Sequence, residues 1–198
     1  MNRSTTWLAV ALAIACATTC FAVPVQWAIP SGGNGHYYDT VRPSQQINWD
    51  NAEAAATSTF FEGNIGNLAT VTSPAENAFL VAQFGDQLRG VWLGGIQPPG
   101  SVEPAGGWEW ITGEPWVYTN WQAGEPNNSG GNENRLAFAT AGGFAPGIWN
   151  DFNNSMPIFG YVVEFVPEPS SYALASIGGL ALIGLAQRRR SRLPSVGY

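Results

Sequence analysis

Hydrophobic and polar positions predict helices early in the chain and strands late. Around Tyr37 to Val41, aromatic and β-branched residues cluster after a Gly/Asn turn, which reads as a strand. Asn48 then stands in front of Trp49 and an alanine-rich run from Asp50 to Ala56, the pattern of a capped helix. A second helix opens at Ser73-Pro74-Ala75-Glu76. Ser73 is a cap, Pro74 takes the first helical position, and Glu76 completes a capping box. Phe79, Leu80 and Phe84 give this helix an apolar face, and Gly85 is its expected stop.

From Val91-Trp92-Leu93-Gly94 onward, Gly or Pro breaks the pattern nearly every ten residues. The expected strands are 108–111, 136–140, 147–150 and 161–165. The stretch from Gly95 to Arg135 is irregular, yet it carries Trp108, Trp110, Trp116 and Trp121. A loop of that length is uncommon unless it is functional or disordered, and the tryptophans argue for order. Helices early and strands late predict an α+β domain.

Residues 1–22 read as a signal peptide: Arg3, an apolar run from Trp7 to Ala17, and a small-residue cleavage site ending at Ala22. Both cysteines, Cys16 and Cys20, lie in that segment, so the domain that follows must be stable without disulfides. Its core has to come from side chains, and eight of the nine Trp fall between Val23 and Pro167. The chain has no Lys, and residues 23–168 hold three Arg against fourteen acids. Such a surface repels phosphate backbones, which excludes nucleic acid as a partner.

One stretch carries concentrated chemistry. Glu125 and Asn127 flank Pro126, Glu133 follows, and Asn150 and Asp151 are adjacent. Three carboxylates and two amides suit a hard cation such as calcium, which takes roughly 6–8 oxygen ligands. Catalytic chemistry has little support. His36 is the single histidine and has no cysteine nucleophile or serine motif beside it, so a structural or solvent-exposed role is expected and the chain is read as no enzyme.

The order of these motifs resembles a C-type lectin-like domain over residues 23–165. Asn48-Trp49 with Ala52 to Ala56 matches the first helix, and Asn67 to Val71 with Ser73 to Leu80 the second. Val91 to Gly94 matches the core strand, Trp121 to Asn128 the long loop, and Trp149-Asn150-Asp151 with Tyr161 to Phe165 the closing strands. The resemblance implies two helices, small antiparallel sheets and a long irregular loop. It also implies one calcium held by Glu125, Asn127, Glu133, Asn150 and Asp151, with a cis bond before Pro126. Hydroxyls of a mannose, glucose or fucose type sugar would complete the shell, contacting Glu125, Asn127, Glu133 and Asn150. The alternative is a structural or protein-binding matrix component that keeps the fold without binding sugar. Departures from the family are Arg135 and Val163 near positions of expected cysteines, and Asn134 where an acid often holds an auxiliary ion.

The C-terminal residues 166–198 resemble a PEP-CTERM sorting signal. Pro167-Glu168-Pro169 is followed by an apolar run over 172–186, expected to be a short membrane helix, and then by Arg188, Arg189, Arg190 and Arg192. That resemblance implies export, an exosortase partner, and delivery to the cell surface or an extracellular polysaccharide matrix of a Gram-negative bacterium.

Overall fold

The computed structural model describes residues 23–140 and 145–167. The expected signal peptide, the 172–186 segment, Glu168 and Pro169 lie outside the described residues. Among those described, no helix is long and apolar enough to cross a membrane.

The elements run β1 (Val25–Gln26), β2 (Tyr37–Val41), α1 (Trp49–Thr57), β3 (Phe60–Phe61), β4 (Asn64–Leu68), α2 (Pro74–Phe84), β5 (Val91–Ile96), β6 (Glu109–Trp110), β7 (Glu133–Phe138), β8 (Trp149–Asn153) and β9 (Gly160–Phe165). The strands join in the order β1-β2-β9-β5-β7-β8, with β4 also on β9 and β6 also on β5. The fold is α+β. Most pairs are antiparallel, but β5 and β9 run parallel, with Trp92 opposite Tyr161, and so link the sheets into one network. Both strands are buried along nearly their whole length, as a strand covered on two faces must be.

The period-two alternation of these strands builds two cores. Val91, Leu93, Leu136, Phe138 and Val162 point to the side covered by Leu80 and Phe84 of α2. Their neighbours Trp92, Ala137, Tyr161, Val163 and Phe165 point to the side covered by Trp49, Ala52 and Ala56 of α1. Trp92 and Trp149 are fully buried, as expected of core residues. Two indoles tie α1 and its approach to the sheet: Trp49 Nε1 donates to Leu93 O at 2.9 Å, and Trp92 Nε1 to Ile47 O at 2.9 Å.

Both helix starts are where their caps place them. The Asn48 side chain accepts from Asn51 N at 3.0 Å, and Ser73 Oγ accepts from Glu76 N at 3.1 Å. The capping box at Ser73 is only half formed. Glu76 does not return to Ser73; its Oε2 accepts from Thr72 N at 2.7 Å, and its side chain is buried. An inward polar cluster outcompetes the local bond.

Three strands have no clear sequence pattern. β1 has two residues, and β3 with β4 forms a hairpin through Glu62 and Gly63, both at positive φ (47° and 88°). That turn usually displays Asn-Gly or Asp-Gly, and Glu at its first position conceals it. β7 and β8 also extend further toward the site than the apolar runs suggest, since Glu133 pairs with Asn153.

Candidate functional site

The long excursion is ordered by aromatic packing. Trp108, Trp110, Trp116, Trp121 and Trp149 form a contiguous cluster, with ring centroids 4.5 Å apart for Trp110 and Trp116 and 5.8 Å for Trp121 and Trp149. Trp116 and Trp121 therefore pack the loop, as expected. Backbone bonds fasten the same segment to β8: Trp149 N donates to Asn120 O at 2.8 Å, and Gln122 N to Trp149 O at 2.8 Å. The loop then turns at Gly124 (φ 92°) into a cis Glu125–Pro126 peptide. A second cis peptide, Glu103–Pro104, gave no signal in the sequence.

Three of the five expected donors sit on two paired strands, and Glu125 and Asn127 lie in the loop beside them. Glu133 opens β7, and Asn150 and Asp151 lie in β8, where Asp151 faces Leu136 and Asn150 faces Ala137. Asp151 is fully buried and reaches across to the loop. Its Oδ1 accepts from Asn127 N at 3.2 Å and its Oδ2 from Asn128 N at 2.8 Å. Glu133 Oε2 accepts from Ser129 N at 2.8 Å, and Asn128 Oδ1 accepts from Glu133 N at 3.0 Å. Asn128 adopts a left-handed conformation (φ 48°) to do this. It closes the loop, a role that its place in an asparagine-rich stretch hid.

Two oxygens at this site have no partner. Glu125 Oε2 and Asn150 Oδ1 are buried without a hydrogen bond. Unpaired buried acceptors cost free energy, about 1–3 kcal/mol each, and call for an explanation such as an ion. Electrostatics agree. The Glu125 carboxyl is pushed up to about 7 by burial, by the negative charge of Asp151 and the hydrogen bond a protonated Glu125 makes to it, and by Glu133, against the opposing hydrogen bond from Asn127 N–H. Burial also raises Glu133, against the opposing hydrogen bond from Ser129 N–H and with a further upward push from Asp151. Like charges thus converge with no positive side chain among them in this set of interactions.

Among the described residues, however, no three His, Cys, Asp or Glu side chains are grouped to hold a metal between them. The three carboxylates alone do not make a cage. The donor set needs the amide oxygens of Asn127 and Asn150, and Asp151 in this arrangement spends its hydrogen bonds on the loop backbone.

Residues 45–155, more than half of the chain, match the family described as Lectin C-type domain. The chain belongs to the C-type lectin domain family. Residues 165–190 of this lectin-domain protein match the PEP-CTERM protein-sorting motif. It is 29% identical over 164 residues to halomucin of Haloquadratum walsbyi, covering 72% of this chain and 2% of that protein. It is 27% identical over 134 residues to C-type lectin domain family 4 member G of Mus musculus, covering 68% of this chain and 40% of that one. The C-type carbohydrate-recognition domain of cow CD23, solved in the presence of a GlcNAc2Man3 oligosaccharide, is 25% identical with a TM-score of 0.56. That alignment covers 76% of this chain and 98% of the CD23 chain. The chain therefore spans less than half the length of either curated relative.

At the two positions where the resemblance implied cysteines, Val163 and Arg135, the chain makes other contacts. Val163 and Ala56 share the α1-side core. Arg135 stacks its guanidinium 4.6 Å from the centroid of the Trp49 ring. His36 is structural, with Nδ1 2.6 Å from Glu164 Oε1.

Proposed function

We propose that this lectin domain binds carbohydrate of the mannose, glucose or fucose type through one calcium ion held by Glu125, Asn127, Glu133, Asn150 and Asp151. The observation that carries this reading is the pair of unpartnered buried oxygens on Glu125 and Asn150, both members of that donor set. Calcium would supply positive charge to the converging carboxylates and open coordination positions to neighbouring sugar hydroxyls. Asn127 and Asn150 have amide N–H groups to donate to sugar oxygens, and Glu125 and Glu133 have carboxylate oxygens to accept from sugar hydroxyls. Asp151 holds the Asn127–Asn128 backbone in place, and Asn128 holds Glu133.

The sorting motif, and the oligosaccharide present with the similar CD23 domain, support the same reading. The protein is a binding module rather than an enzyme, exported and sorted to the surface or polysaccharide matrix of a Gram-negative bacterium, with exosortase as its processing partner. Affinity for one sugar unit should be on the order of millimolar, about −4 kcal/mol, because the contacts are few. Multivalent display offsets this weakness.

The test is binding to immobilised mannan in calcium, in chelator, and after Asn127→Asp. Calcium-dependent capture that the chelator and the variant both abolish supports the reading. Calorimetric calcium uptake without capture of any glycan would assign the domain instead to a structural or protein-binding matrix role.

A further inference from the structure

The polar cluster between β2, α2 and β9 contains two glutamates that a folded domain rarely buries. Glu76 of α2 and Glu164 of β9 are each 1% exposed. Both contact one phenol: Tyr38 Oη lies 2.5 Å from Glu76 Oε1 and 3.0 Å from Glu164 Oε1. A phenol has a single proton, so it can donate to only one of them. The other contact brings two oxygens together and requires a second proton.

The surrounding donors decide where that proton resides. Glu164 is already supplied, its Oε1 by His36 Nδ1 at 2.6 Å and its Oε2 by Thr70 N at 2.9 Å. Glu76 Oε2 is supplied by Thr72 N at 2.7 Å and Thr72 Oγ1 at 3.0 Å. Apart from its contact with Tyr38, Glu76 Oε1 receives only the Asn34 amide at 3.1 Å, and that amide also donates to Tyr38 Oη at 2.8 Å. We infer that Glu76 is a neutral carboxylic acid at neutral pH, donating from Oε1 to Tyr38 Oη while Tyr38 donates to Glu164, and that this shared proton is a pH-sensitive latch joining β2, α2 and β9.

The latch reaches the root of the long loop. Thr70 Oγ1 lies within hydrogen-bond distance of Glu164 Oε2, at 3.0 Å, and of Glu114, which lies in the excursion carrying the proposed site, and its one proton serves one of the two at a time. The titratable groups facing Glu76 are Tyr38 and His36 from the β2 side and Glu164 from β9, with Glu114 beyond Thr70. Burial and the Glu164 charge raise Glu76 above the usual carboxylate value. Burial and both glutamates hold the Tyr38 phenol well above its ordinary value, so it stays protonated.

A group whose proton binding strengthens on folding contributes stability below its unfolded pKa and loses it as pH rises through the folded value. The test uses the full chain with Glu125→Gln, Glu133→Gln and Asp39→Asn as the background in every sample, so that the other raised carboxyls do not contribute. Infrared difference spectra at pH 7 should show a protonated carboxyl carbonyl band that Glu76→Gln removes. Melting temperature should fall with rising pH more steeply in the background protein than after Glu76→Gln, whose amide can still donate to Tyr38. Absence of the band at pH 7, or parallel melting profiles, overturns the inference. Should Glu76→Gln fail to fold, the titration of the band in the background protein decides: persistence above the ordinary carboxylate range supports the latch, and its loss within that range overturns it.

Discussion

At the lectin site, Glu125 is the residue whose behaviour reports most on its neighbours. Its carboxyl is pushed up to about 7 by burial and by Asp151 and Glu133. The folded apo domain therefore favours the protonated form, and this contribution to stability is present below the ordinary carboxylate value and lost as pH rises through about 7. Melting temperatures in chelator should fall between pH 5 and pH 8. Glu125→Gln should flatten that fall, and calcium, which needs the ionised form, should bind more tightly as pH rises over the same window. Asp151 makes a different prediction. It is buried and accepts from Asn127 N and Asn128 N, so Asp151→Ala leaves loop donors without their charged partner. The cost should be roughly 1–3 kcal/mol by urea unfolding. The residue types of this site were legible in the sequence because carboxylates and amides crowd one stretch. The part played by Asn128 was not, since nothing in a run of loop asparagines distinguishes the one that turns left-handed to close on Glu133.

Secondary-structure elements were legible where a side chain enforces them locally. Asn48 and Ser73 mark helix starts because each side-chain oxygen satisfies an otherwise orphaned N–H. Asn48→Ala should accordingly cost about 1 kcal/mol, read from denaturant midpoints, without changing the site. Strand ends were less legible. Glu133 and Asp151 look like loop residues, yet pairing between β7 and β8 draws them into a ladder. Partners distant in sequence impose that conformation, which local pattern cannot reveal. The half-formed box at Ser73 has the same origin: Glu76 is drawn inward by Tyr38, Asn34 and Thr72 rather than outward to its own helix end.

For the whole molecule, the absence of cysteine from residues 23–198 leaves tryptophan packing and hydrogen bonds to hold the long loop. Stability of the domain after removal of residues 1–22 should be the same with and without reductant. Metal should matter more. If calcium binds in the roughly 10⁻⁴–10⁻³ M range of extracellular modules, a concentration about 100 times Kd adds about 2.7 kcal/mol. For a domain of this size the melting temperature should rise by roughly 5–10 °C. The central claim is that a calcium-loaded donor set presents vacancies to sugar hydroxyls, and it is tested most directly by calorimetric titration of mannan into the calcium-saturated protein, repeated in chelator. The account predicts heat of binding in calcium and none in chelator, with recovery on adding calcium back. Mannan binding that is equal with and without calcium, or no binding of any such glycan at full calcium occupancy, would contradict it.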